Sequence, residues 1–154
     1  MLMLNLRVLP YDRPTMFLFF SKIFVTNGLL VRASDEHLQS SIYHELGHKK
    51  QFKIMFCIYL INIALFLQLI LLFSYHAVLF LPLFYMLFCW YCRIGEYHAD
   101  SYALVHTSKS GMIELLEAEG NRLDTRLSML FYPIRFHPDK HRRIRNLGLS
   151  PLNI

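Results

Sequence analysis

Hydrophobic and polar positions along this chain change their period from two, to helical, to none at all. Leu4, Leu6 and Val8 alternate with Asn5 and Arg7, so Leu2 to Leu9 is predicted as a strand. Pro10 and Pro14 bracket a turn. Met16 to Phe20 and Lys22 to Thr26 are rich in aromatic and β-branched residues and read as two further strands. Asn27-Gly28 is a turn signal. A small antiparallel sheet is the economical arrangement for 1–30, although Phe17 to Phe20 also suit contact with lipid.

The pattern then becomes helical. Ser34 suits an N-cap, and Asp35 and Glu36 fall in the first turn, where the helix dipole favours acids. The helix over 34–50 carries Leu38 and Ile42 and can run on through Lys50. From Ile54 to Cys92 the chain has 39 residues without one Asp, Glu, Lys or Arg. Periodicity disappears there because every face is apolar. A bilayer core of roughly 30 Å needs about 20 apolar residues per helix, so two spans fill the stretch. Ser74-Tyr75-His76 is the natural division, giving spans over 54–73 and 77–92. The second is short and contains Pro82, so the expectation is either a kinked span or one that does not cross fully. Trp90 and Tyr91 near its end suit an interface. The other reading, a buried hairpin in a soluble core, asks a small chain to hide two helices apolar on all sides.

After the hairpin, 93–106 is predicted as a helix. Another follows from Ser110 to about Leu123, then an irregular stretch from Leu130 to Phe136. A last helix runs from near Asp139 to near Gly148, with Pro151 beyond it. The expected fold is mainly α with a small N-terminal β-sheet, in one domain over 1–154. Its parts are the sheet region (1–30), a motif helix (34–50), a transmembrane hairpin (54–92) and a helical region (93–150).

Composition sharpens this. Hydrophobic residues make up 55% and charged residues 18%, with mean hydropathy +0.32, and the apolar surplus lies in the hairpin. Lys49, Lys50 and Lys53 precede the first span and Arg93 follows the second, while the connecting loop has no fixed charge. The positive-inside rule then places both termini in the cytoplasm, making a multi-pass integral membrane protein. Met1 to Leu30 lacks the basic start and long apolar run of a secretory signal. Cys57, Cys89 and Cys92 fall in the spans and show no zinc-ribbon or disulfide spacing. The net charge is +5. Arg135, Lys140, Arg142, Arg143 and Arg145 suit anionic lipid headgroups. No nucleic-acid motif accompanies them, so no nucleic-acid partner is expected.

The chemistry centres on His44-Glu45-Leu46-Gly47-His48, an H-E-x-x-H pattern. Residues four apart share a helix face, so His44 and His48 can aim two imidazoles at one ion. Glu45 stands where a carboxylate can reach a water on that ion. Gly47 removes side-chain bulk, which lets another segment pack closely. Glu96 and Asp100, four apart, share a face of the later helix. A pair of surface carboxylates is the plain alternative there.

These segments together resemble the integral-membrane zinc metallopeptidases that include bacterial HtpX and the CAAX prenyl proteases. Residues 23–30, Ile-Phe-Val-Thr-Asn-Gly-Leu-Leu, look like that family's strand and turn before its active helix. His44 to His48 matches its zinc motif, and two spans follow. Glu96-Tyr97-His98-Ala99-Asp100 is similar to its E-[FY]-x-A-D motif. His137-Pro138 with Arg143-Ile144 and Leu147 is similar to its H-P-x(4)-R-I-x(2)-L segment. The resemblance covers about 22–147.

It implies one zinc ion per chain on His44, His48 and Glu96, with the fourth tetrahedral position left for water. It implies Glu45 as general base, Asp100 as hydrogen-bond partner to a ligand imidazole, and His137 as donor to the oxyanion. Arg143 would organise nearby carboxylates or assist the same charge. His98 and His141 remain as competing ligands. The implied activity is a membrane-bound zinc endopeptidase acting on a polypeptide at the cytoplasmic face of the bilayer. Two departures stand out. HtpX-type members have further spans before the catalytic part, so a protein partner supplying them is one expectation. The family's Asn-Ala-Phe-type strand, which binds substrate backbone, is matched poorly by Thr15-Met16-Phe17. A non-catalytic membrane-binding or regulatory module derived from such a peptidase is therefore the alternative.

Overall fold

In the computed structural model, residues 5–19, 22–118 and 136–149 are described. Strands β1 (Asn5–Leu9), β2 (Met16–Phe19) and β3 (Lys22–Thr26) form one sheet in the order β1-β3-β2. β2 pairs antiparallel with β3, from Met16 opposite Val25 to Phe19 opposite Lys22. β1 pairs parallel with β3, from Asn5 opposite Lys22 to Leu9 opposite Thr26. The sheet is therefore mixed, not wholly antiparallel. The chain reverses at each connection, so β1 and β3 run the same way, and β3 inserts between its neighbours. Burial explains the insertion. Ile23, Val25 and Thr26 are almost fully buried, whereas Leu6, Val8, Phe17 and Phe19 are exposed. The most buried strand takes the centre.

Asn27-Gly28 does not turn the chain. It opens a short helix, α1 (Asn27–Arg32), capped by Thr26, whose Oγ1 accepts from Leu29 N at 3.4 Å. Gly28 is required there, because a Cβ would stand 2.0 Å from the Asp12 carbonyl oxygen. The same Thr26 Oγ1 accepts from Thr15 N at 3.0 Å and donates to Arg13 O at 2.6 Å. One buried hydroxyl ties the loop before β2 to the start of α1.

Helix α2 (Asp35–Phe73) runs 39 residues, about 58 Å at 1.5 Å per residue. Ser34 caps it as expected, accepting from His37 N at 3.1 Å. Its first part has a one-sided stripe, with His37, Ser40, Ser41, His44 and Gly47 buried. From Ile54 the helix is apolar all round and largely exposed. The expected motif helix and the apolar stretch after it fall in one helix, Asp35–Phe73. Ser74, at φ +50, ends it in the left-handed conformation that closes many helices. A 3-10 stretch (Ser74–Phe80) then leads into α3 (Leu81–His106). Pro82 lies in the first turn of α3, where a missing N–H interrupts no helical bond, so it starts the helix and does not kink it. α2 and α3 are both long and apolar enough to cross a membrane. Exposed apolar side chains around both helices are what lipid, not water, would solvate.

Helix α4 (Lys109–Ala118) is capped by Ser108, whose Oγ accepts from Gly111 N at 3.1 Å. The expected continuation over 119–123, the irregular stretch over 130–135, and residues 2–4 and 20 of the expected strands lie outside the described residues. Helix α5 (Lys140–Asn146) ends at Gly148, φ +63, where Leu149 N bonds Ile144 O at 3.1 Å. That closure turns Leu149 into a core with Ala103, Met112, Leu115, Leu116 and Ile144. Two compact units result. One contains residues 1–50, 97–121 and 139–154, and the other 51–96 and 122–138. α2 and α3 run unbroken through the boundaries.

Candidate metal centre

Helical periodicity places the first two candidate ligands. His44 and His48 stand one turn apart on α2, and their Nε2 atoms lie 3.1 Å from each other. The rings meet edge to face, with centroids 4.7 Å apart. The Glu96 carboxylate, on α3, completes a group whose ligand atoms all lie within 4.8 Å of one another. His98 and His141 are exposed and fall outside this group, which leaves two histidines and one glutamate among the described residues.

Close approach of backbone makes the arrangement feasible. A Cβ on Gly47 would stand 2.7 Å from the Ala99 Cα. α2 and α3 therefore come almost into backbone contact where Gly47, next to His48, meets Ala99, next to Asp100. Gly47 and Ala99 are the two small residues of their motifs, and each is buried.

Around the histidines the polar groups form a chain. Asp100 Oδ1 lies 2.9 Å from His44 Nδ1. With a proton on Nδ1 donated to that carboxylate, His44 presents an unprotonated Nε2 to the centre. Arg143, from α5, donates through Nε to Asp100 Oδ2 at 2.7 Å and through Nη2 to Oδ1 at 2.5 Å. Asp100 is 0% and Arg143 1% exposed. Burial alone would raise the Asp100 carboxyl, but hydrogen bonds from Arg143 and His44, with their charges, outweigh it and hold the group below its ordinary value. Asp100 is accordingly a carboxylate, the form that can orient His44.

His137 Nδ1 lies 3.0 Å from Glu96 Oε1, while its ring remains three-quarters exposed. Glu45 is half-buried, next in sequence to His44. The folded chain thus joins His44 to His48, Asp100 to His44, Arg143 to Asp100, and His137 to Glu96. Sequence reasoning missed Gln51. Its Nε2 donates to Gly95 O at 2.7 Å, one residue before Glu96, and so braces the backbone that carries the third ligand. The available signal was its position three residues after His48, on the same helix.

The donor set fits a catalytic zinc-type ion. Such sites use three protein ligands of imidazole and carboxylate type and keep a fourth position open. Two nitrogens bound to one tetrahedral zinc stand roughly 3.3 Å apart, given Zn–N bonds of about 2.0–2.1 Å. The 3.1 Å between the Nε2 atoms is close to that spacing. Two imidazole lone pairs brought so near each other call for a cation or a proton between them.

Comparison with known proteins agrees with this reading of the site. No curated protein and no solved structure matches the chain. A family profile described as peptidase family M48 matches residues 16–149, from β2 through the closure of α5. A match over so much of the chain, taking in both halves of the metal centre, establishes that the chain belongs to peptidase family M48.

Proposed function

We propose that this metallopeptidase is a membrane-bound zinc endopeptidase, anchored by the α2–α3 hairpin and working at the cytoplasmic face. The observation that carries the reading is the convergence of His44 Nε2, His48 Nε2 and Glu96, with Asp100 Oδ1 2.9 Å from His44 Nδ1. The family and the apolar helices support a membrane metallopeptidase. Lys49, Lys50, Lys53 and Arg93, which flank the apolar stretch, support the cytoplasmic orientation.

When bound, a zinc ion supplies Lewis acidity, which brings the pKa of a water towards roughly 7 and polarises a peptide carbonyl. Glu45 takes the proton of the attacking water and later delivers it to the leaving amine. His137 donates a hydrogen bond to the oxyanion that develops on the carbonyl. Its contact with Glu96 gives it a second task, holding the orientation of that carboxylate. Arg143 acts through Asp100, keeping it ionised and aligned with His44. By motif the chain resembles the HtpX-like and CAAX-protease-like types.

The test uses full-length protein in detergent, with metal content measured by mass spectrometry and cleavage of casein or a model peptide followed in parallel. One zinc per chain with chelator-sensitive cleavage is expected. Glu45→Gln should keep the metal and lose nearly all activity. Full activity in that variant overturns the assignment of Glu45. One zinc with no hydrolysis of any substrate points instead to the non-catalytic module.

A further inference from the structure

Two amides interrupt the apolar part of α2. Asn62 is satisfied within its own helix, since Nδ2 donates to Ile58 O at 2.9 Å. Gln68 makes no hydrogen bond among the described residues and is exposed. In water that would be unremarkable. In hydrocarbon an amide without a partner is strongly disfavoured, and such groups usually bond across a helix pair.

Gln68 also sits at the centre of a seam. Cys57, Ile61, Ala64, Gln68, Leu71 and Leu72 recur at spacings of three and four, and all are exposed. The opposite side of α2 is taken by α3, through ring contacts of Tyr59 with Phe88 and Phe66 with Phe84. Beside the seam is a groove of about 240 Å³, lined by Leu65, Gln68, Leu69, Leu72 and Phe84, with Gln68 its one polar residue. A polar residue within an apolar three-four seam sets register between paired helices.

We propose that this seam is a pairing surface for a second copy of the chain, with the two Gln68 amides bonded to each other. Copies inserted in the same orientation place Gln68 at the same depth. A two-fold axis along the membrane normal then brings each residue of the seam against its own counterpart. A glutamine amide is both donor and acceptor, so it satisfies its own copy reciprocally. Ala64, one turn before Gln68, has the small side chain that permits close approach.

The inference rests on the membrane-spanning reading of α2, and a native residue reports on it. Cys57 lies on the seam and is exposed, whereas Cys89 is buried. The experiment uses the full chain in phosphatidylcholine–phosphatidylglycerol liposomes at high lipid dilution, oxidised with copper phenanthroline. A disulfide-linked dimer is expected, and it should be absent from Cys57→Ser. Gln68→Leu should lower the yield roughly fivefold or more, while Gln68→Asn retains most of it. A wild-type chain that stays monomeric, or a Gln68→Leu yield equal to wild type, overturns the proposal. Carbonate extraction separates the two levels: protein released by carbonate refutes the membrane-spanning reading, whereas inserted protein that does not cross-link refutes the pairing alone. Glu45→Gln should cross-link like wild type, so the readout is independent of peptidase activity.

Discussion

Arg143 and Asp100 are 43 positions apart in sequence and form a two-point ion pair with essentially no exposure, at 2.7 and 2.5 Å. The guanidinium fork matches the carboxylate, and the carboxylate passes that order to His44 at 2.9 Å. Helix α5 thereby braces the carboxylate that lies against His44, a candidate metal ligand.

Removing the guanidinium leaves an uncompensated buried carboxylate. Arg143→Ala is expected to destabilise the chain by about 3–5 kcal/mol. It should also weaken metal affinity about 10–100-fold, because His44 loses its fixed partner. Arg143→Lys keeps the charge but not the fork and should fall between. Thermal unfolding in detergent and zinc competition titration measure the two effects. Unchanged metal affinity in Arg143→Ala would separate Asp100 from the ordering of His44.

Backbone contact at Gly47 makes a sharper prediction. A Cβ placed 2.7 Å from Ala99 Cα has no flexible side chain to push aside. Gly47→Ala should cost about 1–3 kcal/mol and lower zinc occupancy, since separating the helices parts Glu96 from the histidines. Gly95→Ala is the control. Among the described residues its Cβ would meet only Met55 and Gln51 side-chain atoms, at 3.7 and 3.9 Å, so stability should hold or rise slightly. Metal content of the two purified variants decides the matter.

Thr26 is expected to matter for the sheet and not for the metal. Thr26→Val removes the hydroxyl that joins Arg13 O, Thr15 N and Leu29 N, and should cost about 1–3 kcal/mol. Proteolysis should become faster in the loop over 10–15, with zinc content preserved. Loss of zinc in this variant would show that the sheet and the metal centre are coupled.

How far the sequence could be read depended on the range of the interactions. The strands near 5–9, 16–19 and 22–26, the Ser34 cap and the apolar hairpin all follow from local periodicity and composition. So does the approach of His44 to His48, because the helix repeat alone puts residues four apart on one face. Asn27-Gly28 misled because its dipeptide preference for turns was overridden by the Thr26 cap and by the close approach of the Asp12 carbonyl. The order β1-β3-β2 was equally hidden, since adjacent segments suggest adjacent strands, while burial of Ile23 and Val25 placed β3 in the middle.

The sequence by itself determined the candidate metal-binding chemistry, the helical frame of His44 and His48 and the apolar character of the hairpin, because each is written within a turn or a helix length of chain. Only the tertiary structure decided that His44 is the imidazole Asp100 meets, that α2 and α3 meet at Gly47 and Ala99, and that Asp100 is the carboxylate Arg143 closes on. Those relations join residues about 40 to 60 positions apart. They depend on helix crossing, burial and side-chain reach, none of which a local pattern encodes.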